Sequence, residues 1–148
     1  GNFSTHLCRI ICYGMPRPSR DPSDMFVPPR SVWHVFDLCR QKKLMHSWYD
    51  PLFAESIAKV ENDFRMCGNH SVMFRSLMVM GLNLKILSRW IASIASNEHL
   101  LDNVYLEGKK SSFFTKHPSK TEKLISLLEK VETLPFRLSL GWEFYHSL

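Results

Sequence analysis

An apolar stretch near the middle of the chain, Ser71 to Asn97, constrains the fold more than any other part of the sequence. Its apolar residues recur at helical spacing, and a face this wide needs several neighbouring helices to cover it. They form two adjacent stripes, Met73, Leu77, Met80, Leu84, Leu87, Ile91 and Ile94, and Phe74, Met78, Leu82, Ile86 and Trp90. Gly81 and Asn83 interrupt the pattern, and Asn is a good N-cap. We therefore expect two helices, roughly 71–82 and 84–96, with a bend between them.

Other segments also carry helical signals, in the form of spaced apolar residues and recognisable caps. Asp50-Pro51 marks a helix start, and we expect Phe64 to continue the inward face of that helix. Asn97 should cap a short helix that Gly108 closes. Ser119 to Glu122 matches a capping box, and we expect Leu127 to face inward from the helix that it opens. The predicted helices on these grounds are 3–14, 32–42, 50–68, 97–108 and 119–134.

Two segments lack such a signal. Met15 to Arg30 is rich in proline, so we expect a surface loop. The tail from Phe136 to Phe144 alternates like a strand, but no other segment alternates well enough to pair with it. We expect a terminal helix or an extended segment docked on the core. The predicted fold class is all-α, an irregular single-domain bundle of about seven or eight helices spanning residues 1–148.

Composition limits the function classes. The chain has 148 residues, 45% of them apolar and 22% charged, which is typical of one globular domain. The net charge of +5 is a mild bias toward an anionic partner, and nucleic acid is the weakest such partner because no docking motif accompanies the charge. Arg75, Lys85 and Arg89 interrupt the longest apolar run, so we expect no membrane span. The four cysteines form no C-x-x-C pair, so we expect reduced thiols in the cytosol.

Motifs for catalysis or metal binding are weak. The sequence has no phosphate-binding glycine loop and no nucleophile elbow. Cys67-x-x-His70 and the pair Cys8, Cys12 have spacings that part of a zinc site could use, but buried structural cysteines explain them as well. Nothing marks Cys39 as an activated nucleophile with His34. We therefore expect no enzyme, no metal and no cofactor.

The segment 109–123 is basic and carries two adjacent aromatic residues. Lysines attract phosphates, and exposed phenylalanines can insert into a lipid interface, which makes an acidic membrane surface an alternative partner. The residues for that alternative are Lys109, Lys110, Phe113, Phe114 and Lys116. Arg17, Arg20 and Arg30 add weakly to the same alternative. We favour the other interpretation, in which the phenylalanines pack inward and the lysines solvate the segment.

Several of these core motifs together resemble the C-terminal half of a RUN domain, with the greatest likeness to the branch of iporin and NESCA. The run FRSLMVMGLN at 74–83 carries the resemblance, with Trp90, the pattern L-L-x-x-x-Y at 100–105 and L-P-F at 134–136. The resemblance implies an all-helical interaction module without catalytic residues or cofactor. It also implies helices before Phe3, and the chain begins with Gly1, so we expect a domain that is incomplete at its N-terminus.

RUN domains are typically effectors or adaptors for small GTPases of the Rab, Rap and Arf-like groups, in vesicle traffic. The resemblance therefore implies such a partner, or another trafficking protein, and a cytoplasmic location with peripheral attachment to vesicle or Golgi membranes. Exposed aromatic and basic residues near helix ends suit a contact of this kind. Our candidates are Lys42, Lys43, Trp48, Lys85 and Arg89. The alternative for each is that it only solvates or caps a helix.

Overall fold

Helices dominate the part of the chain that the computed structural model describes, residues 2–16, 32–66, 68–135 and 137–138. They are α1 (Asn2–Cys12), α2 (Trp33–Cys39), α3 (Lys42–Met45), α4 (Pro51–Glu61), α5 (His70–Asn83), α6 (Leu87–Ser96), α7 (Glu98–Val104), α8 (Phe113–Lys116) and α9 (Pro118–Glu132). Short 3-10 turns cover His46–Trp48 and Phe64–Met66, and a short strand, β1, covers Leu106–Lys109. The all-α class is confirmed.

Some of our predictions concern residues outside the ranges that the structure describes. These are the predictions for the proline-rich loop beyond Pro16, including Arg17, Arg20 and Arg30, for Cys67, and for the tail apart from Arg137 and Leu138.

The central pair α5 and α6 forms the core, as the two apolar stripes predict. Their side chains are largely buried in one apolar cluster that also takes residues from α1, α2, α4, α7 and α9. Leu84 is the exception, with 46% of its surface exposed, because it lies in the turn between the two helices. Within the described residues no single helix is long and apolar enough to span a membrane, and α5 and α6 meet those limits only as a pair bent by 116°.

The bend differs in detail from the prediction. Asn83 is the last residue of α5, so its assignment as the N-cap of the next helix is wrong. The Ile86 N–H donates to the Gly81 carbonyl at 3.0 Å, and the Lys85 N–H donates to the Leu82 carbonyl at 3.1 Å. This pattern is a Schellman motif, and Lys85 occupies its left-handed position with φ of 62°.

Trp90 fills the angle between α5 and α6. Its ring is 1% exposed and stacks on the Phe53 ring of α4, with centroids 4.5 Å apart and planes 12° from parallel. Gly81 lies against the other side of this contact, where an added Cβ would be 2.9 Å from Trp90 Cζ3. Gly81 therefore does not break α5, but allows α6 and its tryptophan to approach.

Other helix boundaries also differ from the predictions. The predicted helix 32–42 is divided into α2 and α3, because Gln41 between them has an extended backbone. α4 ends at Glu61, and Phe64, predicted to face inward, lies in a 3-10 turn with 84% of its surface exposed. The predicted capping box at Ser119 is wrong, since α9 begins with Pro118 after His117, without a side-chain cap. Leu127, also predicted inward, is 55% exposed.

The segment after α7 is a strand where we predicted helix up to Gly108. The Asn97 cap is confirmed by the hydrogen bond from the Leu100 N–H to Asn97 Oδ1 at 3.1 Å. Beyond Val104 the chain turns toward α1: Tyr105 donates its hydroxyl hydrogen to the Ile11 carbonyl at 2.5 Å, and the Leu106 N–H donates to the Gly14 carbonyl at 3.0 Å. These bonds join β1 to the end of α1.

Replacing Gly81 with alanine should destabilise the protein. In an unconstrained helix this change stabilises by about 0.5–1 kcal/mol, but here the new methyl group meets the buried Trp90 ring, and overpacking costs about 1–3 kcal/mol. Urea unfolding of Gly81→Ala, Trp90→Leu and the double variant should give non-additive changes, because the smaller leucine side chain leaves room for the methyl group. A Gly81→Ala variant more stable than the parent would contradict this packing.

Candidate partner-binding surfaces

Three of the candidate residues lie together on the segment that joins α2 to α4. We call the exposed side chains of this segment, Lys42, Lys43, His46, Trp48 and Leu52, the α3 surface. Trp48 and Leu52 are 43% and 44% exposed and lie four residues apart. Two lysines therefore lie within a few residues of two exposed apolar groups.

The backbone of the α3 surface is held firmly at several points. Met45 is 1% exposed, and the Asn97 side-chain amide donates to its sulfur at 3.5 Å. Asp50 caps α4 by accepting from the Leu52 N–H at 3.0 Å and the Phe53 N–H at 3.3 Å. His46 turns the chain between these anchors with a φ of 51°, which a residue with a side chain seldom adopts. The segment is therefore a preorganised surface.

Contacts among its own side chains further shape the α3 surface. The Lys42 ammonium lies over the Tyr49 ring, 5.9 Å from the centroid, which leaves Tyr49 half-buried. Behind this segment, Glu61 of α4 accepts a hydrogen bond from Trp33 Nε1 at 2.9 Å and pairs with Arg40, so α2 and α4 are fastened together. Lys43 is exposed.

Lys85 and Arg89, the other two candidates, lie at the opposite end of α6. Met45 of α3 contacts Asn97, which follows the last residue of α6, whereas Lys85 and Arg89 flank its first residue. A helix of this length spans about 15 Å. The structure thus does not join the five candidates into one contiguous group.

The surroundings of Lys85 and Arg89 form a second surface, which we call the α5–α6 corner. Its members are Asn83, Leu84, Lys85, Arg89, Leu134 and Leu138. Lys85 donates from Nζ to the Leu134 carbonyl at 2.8 Å. The Asn83 amide forms two hydrogen bonds with the Leu138 backbone: it donates to the carbonyl at 2.8 Å and accepts from the N–H at 2.7 Å. The three leucines are 42–52% exposed, and Arg89 is exposed as well.

The basic segment 109–123 is more ordered than a loop, because α8 and the start of α9 occupy most of it. Phe114 is 5% exposed, and Phe113 is half-buried against Tyr13 and His117, with ring centroids 6.2 Å and 4.9 Å away. The inward packing that we favoured for these phenylalanines is therefore confirmed.

The lysines of this segment lie on the outside. Lys109 pairs with Glu98 at 3.1 Å, Lys116 lies 5.5 Å from the centroid of the Tyr13 ring, and Lys110 is exposed. We call Tyr13, Lys109, Lys110, Phe113 and Lys116 the α8 patch.

In the part of the chain that the structure describes, neither the titratable side chains nor the pockets form a recognisable catalytic centre. Burial raises the pKa of the Cys39 thiol, which disfavours the thiolate that a nucleophile needs. Among the described residues no group of three or more His, Cys, Asp or Glu side chains is arranged to hold a metal ion. One pocket of about 620 Å³ lies beside Phe64, and another of about 490 Å³ lies between α1 and α5.

Sequence reasoning missed the polar contacts that build the α5–α6 corner. Asn83 looks like an N-cap and Glu132 like an ordinary surface residue, and their partners are about 50 residues away in the chain, at Leu138 and Ser88. Phe64 was missed as an exposed residue because its spacing continues the apolar face of α4. A helix-ending signal at Asn62 and Asp63 is the feature that separates it from that face.

Comparison with protein-family models matches residues 54–142 to the RUN domain, and these residues are more than half of the chain. No curated protein matches the sequence.

Glu132 should stabilise α6 from a distance. Its carboxylate accepts from the Ser88 N–H at 2.6 Å and from the Ser88 hydroxyl at 2.8 Å, in the first turn of a helix that has no side-chain cap of its own. Because loss of a cap costs about 1–2 kcal/mol, Glu132→Ala should lower the free energy of unfolding by that amount in urea. Glu129→Ala, at an exposed position of α9, the helix that carries Glu132, should change the free energy of unfolding by less than about 0.5 kcal/mol. Equal effects of the two substitutions would show that the cap contributes nothing.

Proposed function

The chain belongs to the RUN domain family, and on that premise we propose that it is a protein-interaction module whose partner is a small GTPase. RUN domains are in general modules that bind small GTPases, and they are not enzymes. In finer terms, we propose one domain over residues 1–148, of the iporin and NESCA branch, acting as a cytoplasmic effector or adaptor in vesicle traffic. A Rab, Rap or Arf-like GTPase on vesicle or Golgi membranes is the proposed partner.

The α3 surface is the observation that supports this proposal best. Interfaces are enriched in exposed tryptophan anchors, and Trp48 offers one next to a second apolar side chain, Leu52. Lys42 and Lys43 supply positive charge at the edge of the anchor, so an acidic partner surface is complementary to it. Because Met45 and Asp50 hold the backbone on either side, little conformational entropy is lost on binding.

Lys85 and Arg89 are proposed as a secondary contact. They lie about one helix length from the α3 surface, a separation that a globular partner can span. The exposed leucines of the α5–α6 corner give them the same combination of apolar and basic groups. A partner that covers both surfaces should therefore lose affinity when either is changed.

Binding to small GTPases in both nucleotide states tests the proposal. A panel of purified GTPases, each loaded with a GTP analogue or with GDP, should show retention of the GTP form. Trp48→Ala should weaken this binding about tenfold or more, because loss of a central anchor costs more than about 1 kcal/mol. The double variant Lys42→Glu, Lys43→Glu should also weaken this binding, and the loss of affinity should be larger at low salt than at high salt.

Lys59→Glu is the matched control, since Lys59 is exposed on α4, outside both surfaces. It should leave binding unchanged. Equal retention of both nucleotide states, or no retention of any GTPase, would count against the proposed function. Retention that Trp48→Ala leaves unaltered would instead reject the α3 surface as its site.

A second candidate function is binding to an acidic membrane surface through the α8 patch. The observation that favours it is the row of outward lysines in this segment, of which Lys116 lies over the partly exposed Tyr13 ring. Since Phe114 is buried, insertion would depend on Tyr13 and Phe113, and the lysines would contribute about 1 kcal/mol each near an anionic surface.

Vesicle flotation separates this candidate from the first. Binding to vesicles with acidic lipid should disappear in the triple variant Lys109→Glu, Lys110→Glu and Lys116→Glu. The matched control, with the same change in charge, is the triple variant Lys42→Glu, Lys43→Glu and Arg89→Glu, which should float like the parent. Equal loss in both variants would show only a general effect of net charge.

A further inference from the structure

The pocket between α1 and α5 contains a thiol in cationic surroundings. Its volume is about 490 Å³, within the usual range for sites that hold small molecules. α1 contributes Cys8 and Arg9 to the lining, and α5 contributes His70 and Arg75. Two guanidinium groups and an imidazole therefore border a cavity whose reactive atom is a half-buried sulfur.

A second thiol lies directly beside the first. Cys12 is one helical turn after Cys8, and the two Sγ atoms are 4.0 Å apart. The Cys12 thiol hydrogen can be donated to the Cys8 thiolate, and this bond lowers the pKa of Cys8 to about 7, while the same coupling raises that of Cys12. Cys8 is thus the thiol of the pair whose pKa is lowered, and it is the one that lines the pocket.

Helix geometry prevents Cys8 and Cys12 from forming a disulfide with each other. Side chains four residues apart on a helix have Cβ atoms about 5–6 Å apart, whereas a disulfide needs about 3.5–4.5 Å. A bond between Cys8 and Cys12 would require this turn of α1 to unwind. Leu7 and Ile11 oppose that change, because they are 1% and 0% exposed and fix the same turn in the core. Cys12 can therefore activate Cys8 but cannot displace a group attached to it.

We propose that Cys8 is a site of reversible thiolation by an anionic low-molecular-weight disulfide. The Cys8 thiolate attacks one sulfur of the reagent, the reagent's own S–S bond breaks, and half of the reagent leaves as a thiolate. A mixed disulfide on Cys8 remains, and the reagent is the only oxidant. Arg9 and Arg75 complement the carboxylates of the bound half, and the geometry of α1 keeps Cys12 from releasing it.

Glutathione disulfide is the probe for this reaction, applied to the whole chain and followed by intact mass and peptide mapping. Among the cysteines that the structure describes, mapping should place glutathione on Cys8 and not on buried Cys39. The attachment should be lost in Cys8→Ser and reversed by a reducing agent. Cys12→Ala should slow the reaction at pH 7 about fivefold, because a pKa that is about two units higher lowers the thiolate fraction about fiftyfold, while the greater nucleophilicity of the more basic thiolate recovers about tenfold of that loss.

The charge of the pocket is tested by a matched pair of reagents. Arg9→Glu should slow the reaction with glutathione disulfide and speed up the reaction with cystamine, a disulfide of similar reactivity that carries positive charge. Arg9→Gln should also slow the reaction with glutathione disulfide, but it should speed up the reaction with cystamine less than Arg9→Glu does. Circular dichroism of each variant checks that α1 remains folded.

The alternatives give distinct products. An internal disulfide between Cys8 and Cys12, seen as a loss of two hydrogens without addition of glutathione, would overturn the proposal. Attachment at Cys12 or Cys39 in place of Cys8, or a rate that neither Cys12→Ala nor Arg9→Glu alters, would overturn it as well.

Discussion

The contact between Trp90, Phe53 and Gly81 is the constraint on which the rest of the structure depends. The indole ring stacks on Phe53 of α4, and the missing side chain at Gly81 lets α5 approach the same ring. Three helices are thereby fixed at one point. Glu132 then joins α9 to the start of α6, and the contact between Met45 and Asn97 joins α3 to the other end of α6. The two candidate surfaces thus occupy the two ends of α6, and their separation follows from its length.

Much of the fold could be predicted because its strongest signals are local. The apolar stripes of α5 and α6, the Asp50-Pro51 start of α4 and the Asn97 cap of α7 each depend on residues within a few positions of one another. The errors have a different origin. Asn83 has the chemistry of an N-cap, but the preceding turn keeps it in α5 and its amide binds the distant Leu138 backbone. Ser119 likewise has the chemistry of an N-cap, but α9 begins one residue earlier, at Pro118, because proline is suited to the first helical position.

The candidate site could be predicted only in part, for the same reason. Lys42, Lys43 and Trp48 are close in sequence, and the structure keeps them close in space. The placement of Lys85 and Arg89 depends on how α6 lies against α7 and α9, which no local pattern contains. Phe113 and Phe114 are adjacent in sequence, yet only Phe114 is fully buried, whereas Phe113 packs half-buried at the edge of the core, where its ring contacts Tyr13 and His117.

Hydrogen exchange of the chain with and without a GTP-loaded small GTPase that it retains tests the central claim, that the α3 surface is a preorganised site for a protein partner. The account predicts slower exchange of backbone amides in residues 42–52 on binding, with a smaller effect at 83–89 and none at 109–120. It also predicts that the free chain already protects the amides of Leu52 and Phe53, which Asp50 caps. Protection confined to 109–120, or an α3 segment that exchanges freely until the partner binds, would contradict it.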